Sequence, residues 1–291
     1  MDYLKKFVVE PGAKVRLSKI DASYTGKHET HEAAQSEIQK HIERLDKLQY
    51  LLYADGKQSL LVVLQALDAA GKDGVIRHVF SGMNPQGTFV FGFKQPSKEE
   101  AAHDFVWREH RRAPGKGEVV IFNRSHYEDV LVVRVHKLVP ESVWSKRYDQ
   151  INDFETMLTQ NDTTILKFFL HISPEEQLSR FKQRLDDPSR HWKISESDYS
   201  ERELWPKYTD AYEDAIAKTS TKHAPWYVIP ANHKWFRNLA VSQIIADTMD
   251  EMGLKLPPTR VDIADIRRKF HAAEAEENVG AKRKVKAIKA H

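Results

Sequence analysis

The sequence predicts an α/β chain built on a parallel, doubly wound sheet of five strands. Three observations carry this. Short apolar runs recur at residues 60–66, 88–93, 118–122, 164–170 and 226–229. Segments with helical spacing separate them, so the strands are joined by right-handed crossovers and not by hairpins. The first run, continuously apolar from Leu60 to Leu64, ends in small residues around Asp68, then Gly71-Lys72, then an amphipathic segment. That is the order of a buried strand, a tight loop and a helix whose N-terminus faces the loop.

Each element can be justified in turn. Residues 1–28 show no clear periodicity and are read as wrapping the surface. Over 30–55, Ile38, Ile42, Leu45, Leu48 and Leu52 recur at helical spacing, and Gly56 stands where a C-terminal cap belongs. Strand 60–66 leads to a helix over 72–81 that stops at Gly82, then to strand 88–93. Ser97 with Glu100 three residues on opens a helix through a capping box. A loop containing Pro114, Gly115 and Gly117 enters strand 118–122, and a further helical stretch comes next. Residues 141–160 read as one helix with Val143, Ile151, Phe154 and Leu158 on its inner face. After strand 164–170, Ser173, Pro174 and Glu176 supply an N-cap, a proline at the first helical position and a capping Glu. The last strand, 226–229, precedes a long helix over 233–252. We expect a single domain over 1–256, with 1–55 as an N-terminal extension and helix. Beyond Pro257-Pro258, residues 257–291 form a helical, basic tail that is solvated and frayed.

Composition narrows the function classes. At 291 residues and net charge +3, any affinity for a polyanion must come from local clustering of cations. The chain has no cysteine, which excludes disulfides, thiolate metal sites and Cys nucleophiles. Neither a signal peptide nor a run of apolar residues long enough to span a membrane is evident, so a soluble cytoplasmic protein without a membrane partner is expected.

The chemistry concentrates in three places. The first is the loop Ala66-x-x-x-x-Gly71-Lys72-Asp73-Gly74. Its backbone N–H groups, from Ala69 and Ala70 through Gly71 to Gly74, suit a nest for phosphate oxygens, with Lys72 neutralising their charge. A relaxed pattern of this kind arises by chance in roughly one chain in five at ordinary glycine usage. Its position between a buried strand and a helix is what makes it informative. Asp73 stands where a metal-binding Ser or Thr is usual, so a divalent cation must be held differently. Asp68 inside the loop is the candidate, because a carboxylate among phosphates repels them unless a cation intervenes.

The second place is Phe122-Asn123-Arg124-Ser125-His126-Tyr127-Glu128, which lies at the carboxyl end of a strand, where ligands bind in open α/β sheets. Asn123 can orient metal-bound water, Arg124 can bridge phosphates, and Glu128 adds a carboxylate. The third is a basic arm over about 180–205 with Arg180, Lys182, Arg184, Arg190, Lys193 and Arg202 around a turn at Asp186-Asp187-Pro188-Ser189, of the kind that closes over phosphates as a lid. Lys94, His103, Trp107 and Arg108 come after the second strand, with Lys94 and Arg108 as candidate acceptor-side phosphate ligands. His28-Glu29-Thr30-His31-Glu32 lacks zinc-motif spacing and reads as a helix start.

With these residues assembled, the chain resembles the family-2 polyphosphate kinases. Ala66-x-Asp68-x-x-Gly71-Lys72-Asp73-Gly74, Phe122–Glu128, Asn84-Pro85-Gln86-Gly87, Ala224-Pro225-Trp226-Tyr227-Val228-Ile229-Pro230 and the Trp192/Trp205 arm carry the resemblance, over roughly residues 30–256. The Asn-Arg-Ser-His-Tyr-Glu form is similar to the class III subgroup, associated with phosphorylating both nucleoside monophosphates and diphosphates. The resemblance implies a three-layer α/β/α P-loop kinase fold, thymidylate-kinase-like, with a helical lid. It also implies Mg²⁺-dependent transfer (Mn²⁺ serving in its place) between inorganic polyphosphate and adenine or guanine nucleotides. Carried over, Asp68 is the central acidic residue, Lys72 bridges phosphates, Arg124 follows the Walker B position, and Arg180, Arg184 and Lys193 track the polyphosphate. Our reading of the residues adds Glu128 to Asp68, Lys72 and Arg124 as the catalytic set and seats the metal on Asp68 with help from Asn123, which departs from the family's Asp. A homo-oligomer, dimer or tetramer, is expected; nucleic acid is not expected as a partner. The rival readings are an ATP-dependent nucleotide or small-molecule kinase on the same fold, and a non-catalytic polyanion-binding protein.

Overall fold

The N-terminal segment is part of the core and does not merely wrap it. In the computed structural model, which describes the backbone of residues 1–288 and the side chains of residues 1–278, the Asp2 carboxylate accepts from Lys5 N (3.0 Å) and caps helix α1 (Tyr3–Phe7). Tyr3 and Phe7, one turn apart, are buried. Strand β1 (Val8–Val9) comes next and pairs antiparallel with Tyr227 and Trp226. The sheet therefore has six strands, and the expected five lacked this edge. Two residues are too short a run to show a period of two, so only their pairing reveals them.

Helix α2 (His31–Asp55) starts at Thr30, whose Oγ1 accepts from Ala33 N, and ends at Gly56 in the left-handed region (φ +61°). Strand β2 (Ser59–Gln65), helix α3 (Lys72–Val79) and strand β3 (Thr88–Gly92) come next. The Ser97–Glu100 capping box forms reciprocally, Ser97 N donating to Glu100 Oε2 and Glu100 N to Ser97 Oγ. It opens only a 3₁₀ turn at Glu100–Ala102, because the residues just beyond it are exposed and offer no apolar face to bury. A short helix, α4 (Trp107–His110), precedes β4 (Val119–Asn123).

After a 3₁₀ turn at His126–Asp129 come α5 (Val132–Val135), α6 (Glu141–Trp144) and α7 (Arg147–Gln160). The single helix expected over 141–160 is thus two. The break releases Val143 from the phase of Ile151, Phe154 and Leu158: these three are buried, whereas Val143 is 42% exposed. Strand β5 (Thr163–His171) leads to α8 (Pro174–Asp186), capped by Ser173 Oγ accepting from Glu176 N. A 3₁₀ segment (Pro188–Lys193), α9 (Ser197–Glu203), α10 (Trp205–Thr219), β6 (Trp226–Pro230) and α11 (Lys234–Glu251) complete Met1–Lys255, the first of two compact units.

Strand order is β1-β6-β5-β2-β4-β3, parallel except for β1. Along β2, Leu60, Val62 and Leu64 face a core shared with α2, α3 and α11, while Leu61 and Val63 face a second core shared with α7 and α10. The period of two thus feeds both outer layers, and both faces must be apolar. Lys167 on β5 is a charged exception. Its Nζ is fully buried and donates to Glu155, Tyr127 and the Thr219 carbonyl, so the charge is paired and hydrogen-bonded.

The second unit, Leu256–His291, contains helix α12 (Ile263–Ile288). The basic run Lys282-Arg283-Lys284-Val285-Lys286 has its side chains outside the described residues, and the fraying expected at the end falls largely outside them too. Among the described residues, no helix is long and apolar enough to cross a membrane.

Candidate phosphoryl-transfer site

The connection from β2 runs through α3 on one face of the sheet, and that from β4 through α7 on the other. The carboxyl ends of these neighbouring strands therefore flank the topological switch point, the usual crevice of open α/β folds. The two motifs singled out in the sequence lie directly after these strands.

The loop after β2 is held in an unusual conformation. Ala69 has φ +63° and Gly71 φ +101°, and α3 begins directly after Gly71. Ala70, expected in the phosphate nest, is fully buried and its N–H donates to the Leu67 carbonyl, so that donor is used within the loop. Lys72 Nζ donates to the Ala66 carbonyl at 3.0 Å and so lies back across the loop. Burial lowers its pKa, an effect that Asp68 opposes. Gln177 on α8 holds the Asp68 carbonyl (2.9 Å).

Arg124, itself left-handed at φ +64°, joins the two motifs. Its Nη2 donates to Asp68 Oδ1 at 3.1 Å and its Nη1 to Glu128 Oε2 at 3.4 Å. Burial would lower its pKa, but Glu128 and Asp68 carry it upward. Burial raises the Glu128 carboxyl, with Arg124 and Lys72 opposing. Asn123 Nδ2 donates to Asp73 Oδ1 at 2.9 Å, which fixes the first turn of α3 to the end of β4.

These residues border a cavity of about 1090 Å³ lined by ten Lys and Arg residues against two carboxylates, Asp68 and Asp73. Lys94, Arg184 and Lys193 line it; Lys193 Nζ lies over the Trp192 ring at 4.9 Å, and Arg184 donates to the Lys193 carbonyl. Asp68 and Arg124 also border a second, small cavity with Glu128, Glu201, Tyr208 and Tyr212. The Asp68–Arg124 pair therefore lies between a cation-rich space and a smaller one where Glu128, Glu201, Tyr208 and Tyr212 stand beside Arg202.

Two expected ligands are engaged elsewhere. Arg180 borders the cavity, but its five N–H groups donate to Glu176 and to the carbonyls of Ala69, Ala70, Ala231 and Asn232. A guanidinium has five such donors, so Arg180 braces the loop from behind and has none left for a polyanion. Arg108 is buried, stacks on Phe93 and donates to Glu109 and the Lys94 carbonyl; it does not line the cavity. His103 and Trp107 stack on each other at 3.9 Å, also away from the cavity lining. His28 pairs with Glu37 Oε2, and among the described residues no cluster of three or more His or carboxylate side chains forms a metal site.

Sequence reasoning missed Arg237, in the first turn of α11, which donates to the Ala70 carbonyl. A Cβ at residue 71 would lie 2.0 Å from its Nη1, so Gly71 is required for space as well as for its φ. The only signal in the sequence was a pair of cations, Lys234 and Arg237, at a helix start where the dipole disfavours them.

The model of the family described as Polyphosphate kinase 2 (PPK2) matches residues 28–257. This chain belongs to that family. Among family relatives, an AMP/ADP-polyphosphate phosphotransferase from Meiothermus ruber is 52% identical over 87% of this chain and 96% of its own length. An ADP-polyphosphate phosphotransferase from Rhodopseudomonas palustris is 46% identical over 88% of this chain and 92% of its own. The crystal structure of polyphosphate kinase 2 from Arthrobacter aurescens superimposes with a TM-score of 0.90 at 41% identity, covering 94% of this chain and 97% of that one. This family member thus shares the α/β fold of that structure, with a sheet that is parallel but for one edge strand.

Proposed function

We propose that this polyphosphate kinase 2 family member transfers phosphoryl groups between inorganic polyphosphate and adenine or guanine nucleotides, with both mono- and diphosphates as acceptors. The observation that carries the site assignment is the Asp68–Arg124 pair between two unlike compartments. The cation-lined cavity suits a long polyanion, whose charge would otherwise be left without partners.

The donor's terminal phosphoryl group lies at the loop, against the N–H groups of Ala69 and of residues 71–74 and the Lys72 ammonium. An oxygen of the acceptor's terminal phosphate forms a bond to that phosphorus as the bond to the bridging oxygen breaks. The shortened chain leaves with the bridging oxygen and its electron pair. The nucleophile is already an anion, so no general base is required. Lys72 and Arg124 stabilise the charge that develops on the transferring group, from fixed positions that need no reorganisation. Glu128 orients Arg124 and, with Mg²⁺ between them, would position the acceptor phosphate.

Asp68 and Asn123 are the residues to hold Mg²⁺, or Mn²⁺ in its place. Asp68 Oδ2 and the side-chain amide oxygen Oδ1 of Asn123 accept no hydrogen bond among the described residues, and both side chains border the cavity. One carboxylate and one amide oxygen fit a cation that keeps several waters and takes the rest of its ligands from phosphates. When bound, the cation neutralises phosphate charge and aligns donor with acceptor.

Incubating the full chain with polyphosphate, MgCl₂ and AMP or ADP should yield ADP and ATP and shorten the polymer. Product formed from ATP as donor, with none from polyphosphate, would overturn this reading.

A further inference from the structure

Two arginines lie behind the loop, and one of them has no counter-charge. Arg180 has Glu176 at 2.7 Å. Arg237 is only 2% exposed, and no carboxylate among the described residues pairs with it. An isolated buried charge is strongly disfavoured, and the position of Arg237 in the first turn of α11 adds an unfavourable helix dipole. Burial, with Arg180 beside it, pushes its pKa down to about 9. Packing alone gives no reason to keep a cation there.

Its hydrogen bonds are also incomplete. Nε and Nη2 donate to Asn238 Oδ1, and Nη1 to the Ala70 carbonyl. A guanidinium has five N–H groups, so Nη1 and Nη2 each keep one without a protein acceptor. These are the two nitrogens that reach Gly71 and Gly74: a Cβ on residue 71 would meet Nη1 at 2.0 Å, and one on residue 74 would meet Nη2 at 2.8 Å. Gly71, Gly74 and Arg237 all line the large cavity. The absent side chains thus open the first turn of α3 to the guanidinium.

We propose that Arg237 binds the polyphosphate donor, its two spare N–H groups taking phosphate oxygens across the Gly71–Gly74 window and the polymer supplying the missing counter-charge. This rests on the reading that the large cavity holds the donor. A planar fork presenting two parallel N–H groups matches phosphate geometry. It also divides labour between the two arginines: Arg180 shapes the loop, and Arg237 binds through it.

The test compares the full chain with Arg237→Gln and Arg237→Lys. The readouts are the polyphosphate-induced rise in Tm without nucleotide and the separate KM values for polyphosphate and ADP. Arg237→Gln should melt near the wild type when unliganded, because it removes an unpaired buried charge. It should lose most of the polyphosphate-induced rise and raise the KM for polyphosphate about tenfold or more, as for a lost charge-assisted pair, leaving the KM for ADP within about twofold. Arg237→Lys, which keeps the charge but not the fork, should fall between; a Lys variant with wild-type KM for polyphosphate counts against the proposal. A drop in unliganded Tm with polyphosphate protection and KM unchanged would overturn it. Arg184→Ala and Lys193→Ala separate the two levels. If they weaken polyphosphate binding and Arg237→Gln does not, the role of Arg237 alone fails; if none of the three does, the donor lies elsewhere and both readings fail.

Discussion

Arg124 Nη2 donates to Asp68 Oδ1 at 3.1 Å, tying together loops that leave two neighbouring parallel strands. The pair is partly solvated, so its worth to stability is small. Its worth lies in position: each side chain borders both the cation-rich cavity and the smaller one that contains Glu128.

Asp68→Ala and Lys72→Ala should each reduce kcat by about 10²–10³ or more, in line with the loss of one preorganised charge at a reacting centre. Far-UV circular dichroism and Tm should remain close to wild type. Near-normal turnover in both variants would remove the assignment of this loop.

Gly71→Ala puts a Cβ into Arg237 and a side chain at φ +101°. A destabilisation of about 1–3 kcal/mol is expected from the backbone strain alone, read as a lower midpoint in urea. Phosphate binding should weaken in the same variant, since the loop must move to relieve the contact.

Lys167→Ala should destabilise the fold by about 3–5 kcal/mol, because it strands the buried carboxylate of Glu155. Adding Glu155→Gln should recover part of that loss. If the single variant unfolds at the wild-type urea midpoint, Lys167 and Glu155 are not held as a buried ion pair.

Glu109 is buried beside Arg108, with its Oε2 unpartnered, and burial pushes its pKa up to about 7 despite Arg108. A raised folded-state pKa means that the folded protein holds a proton which the unfolded chain releases. Its contribution is full below the ordinary value of 4.5 and is lost as pH rises through about 7. Between these values the Glu109 contribution should fall by about 1.4 kcal/mol per pH unit at most. Glu109→Gln should flatten the pH dependence of the urea midpoint across that window; an unchanged slope would show that Glu109 is ionised in both states.

Much of the site was legible because its residues are local in sequence. Asp68, Lys72 and Asn123 through Glu128 come immediately after strands whose apolar runs are unmistakable, and the end of a strand delivers the next few residues to one edge of the sheet. The roles of the arginines were not legible. Arg180 and Arg108 look like free cations in a basic run, yet both are engaged by carbonyls and carboxylates, some distant in sequence. The carbonyls of Ala231 and Asn232 reach Arg180 only through the pairing of β5 with β6. Arg237, 166 positions beyond Gly71, carried no motif at all.

The sequence by itself determined the α/β order, the five main strands, the phosphate loop and its acidic departure from the common pattern, because periodicity, caps and loop chemistry act over a few residues. Tertiary structure alone decided the sixth strand, the failure of the Ser97 capping box to grow a helix, and which of the arginines bordering the cavity keep donors free. Those outcomes depend on what distant segments bury and which carbonyls they present, and short-range spacing carries no record of either.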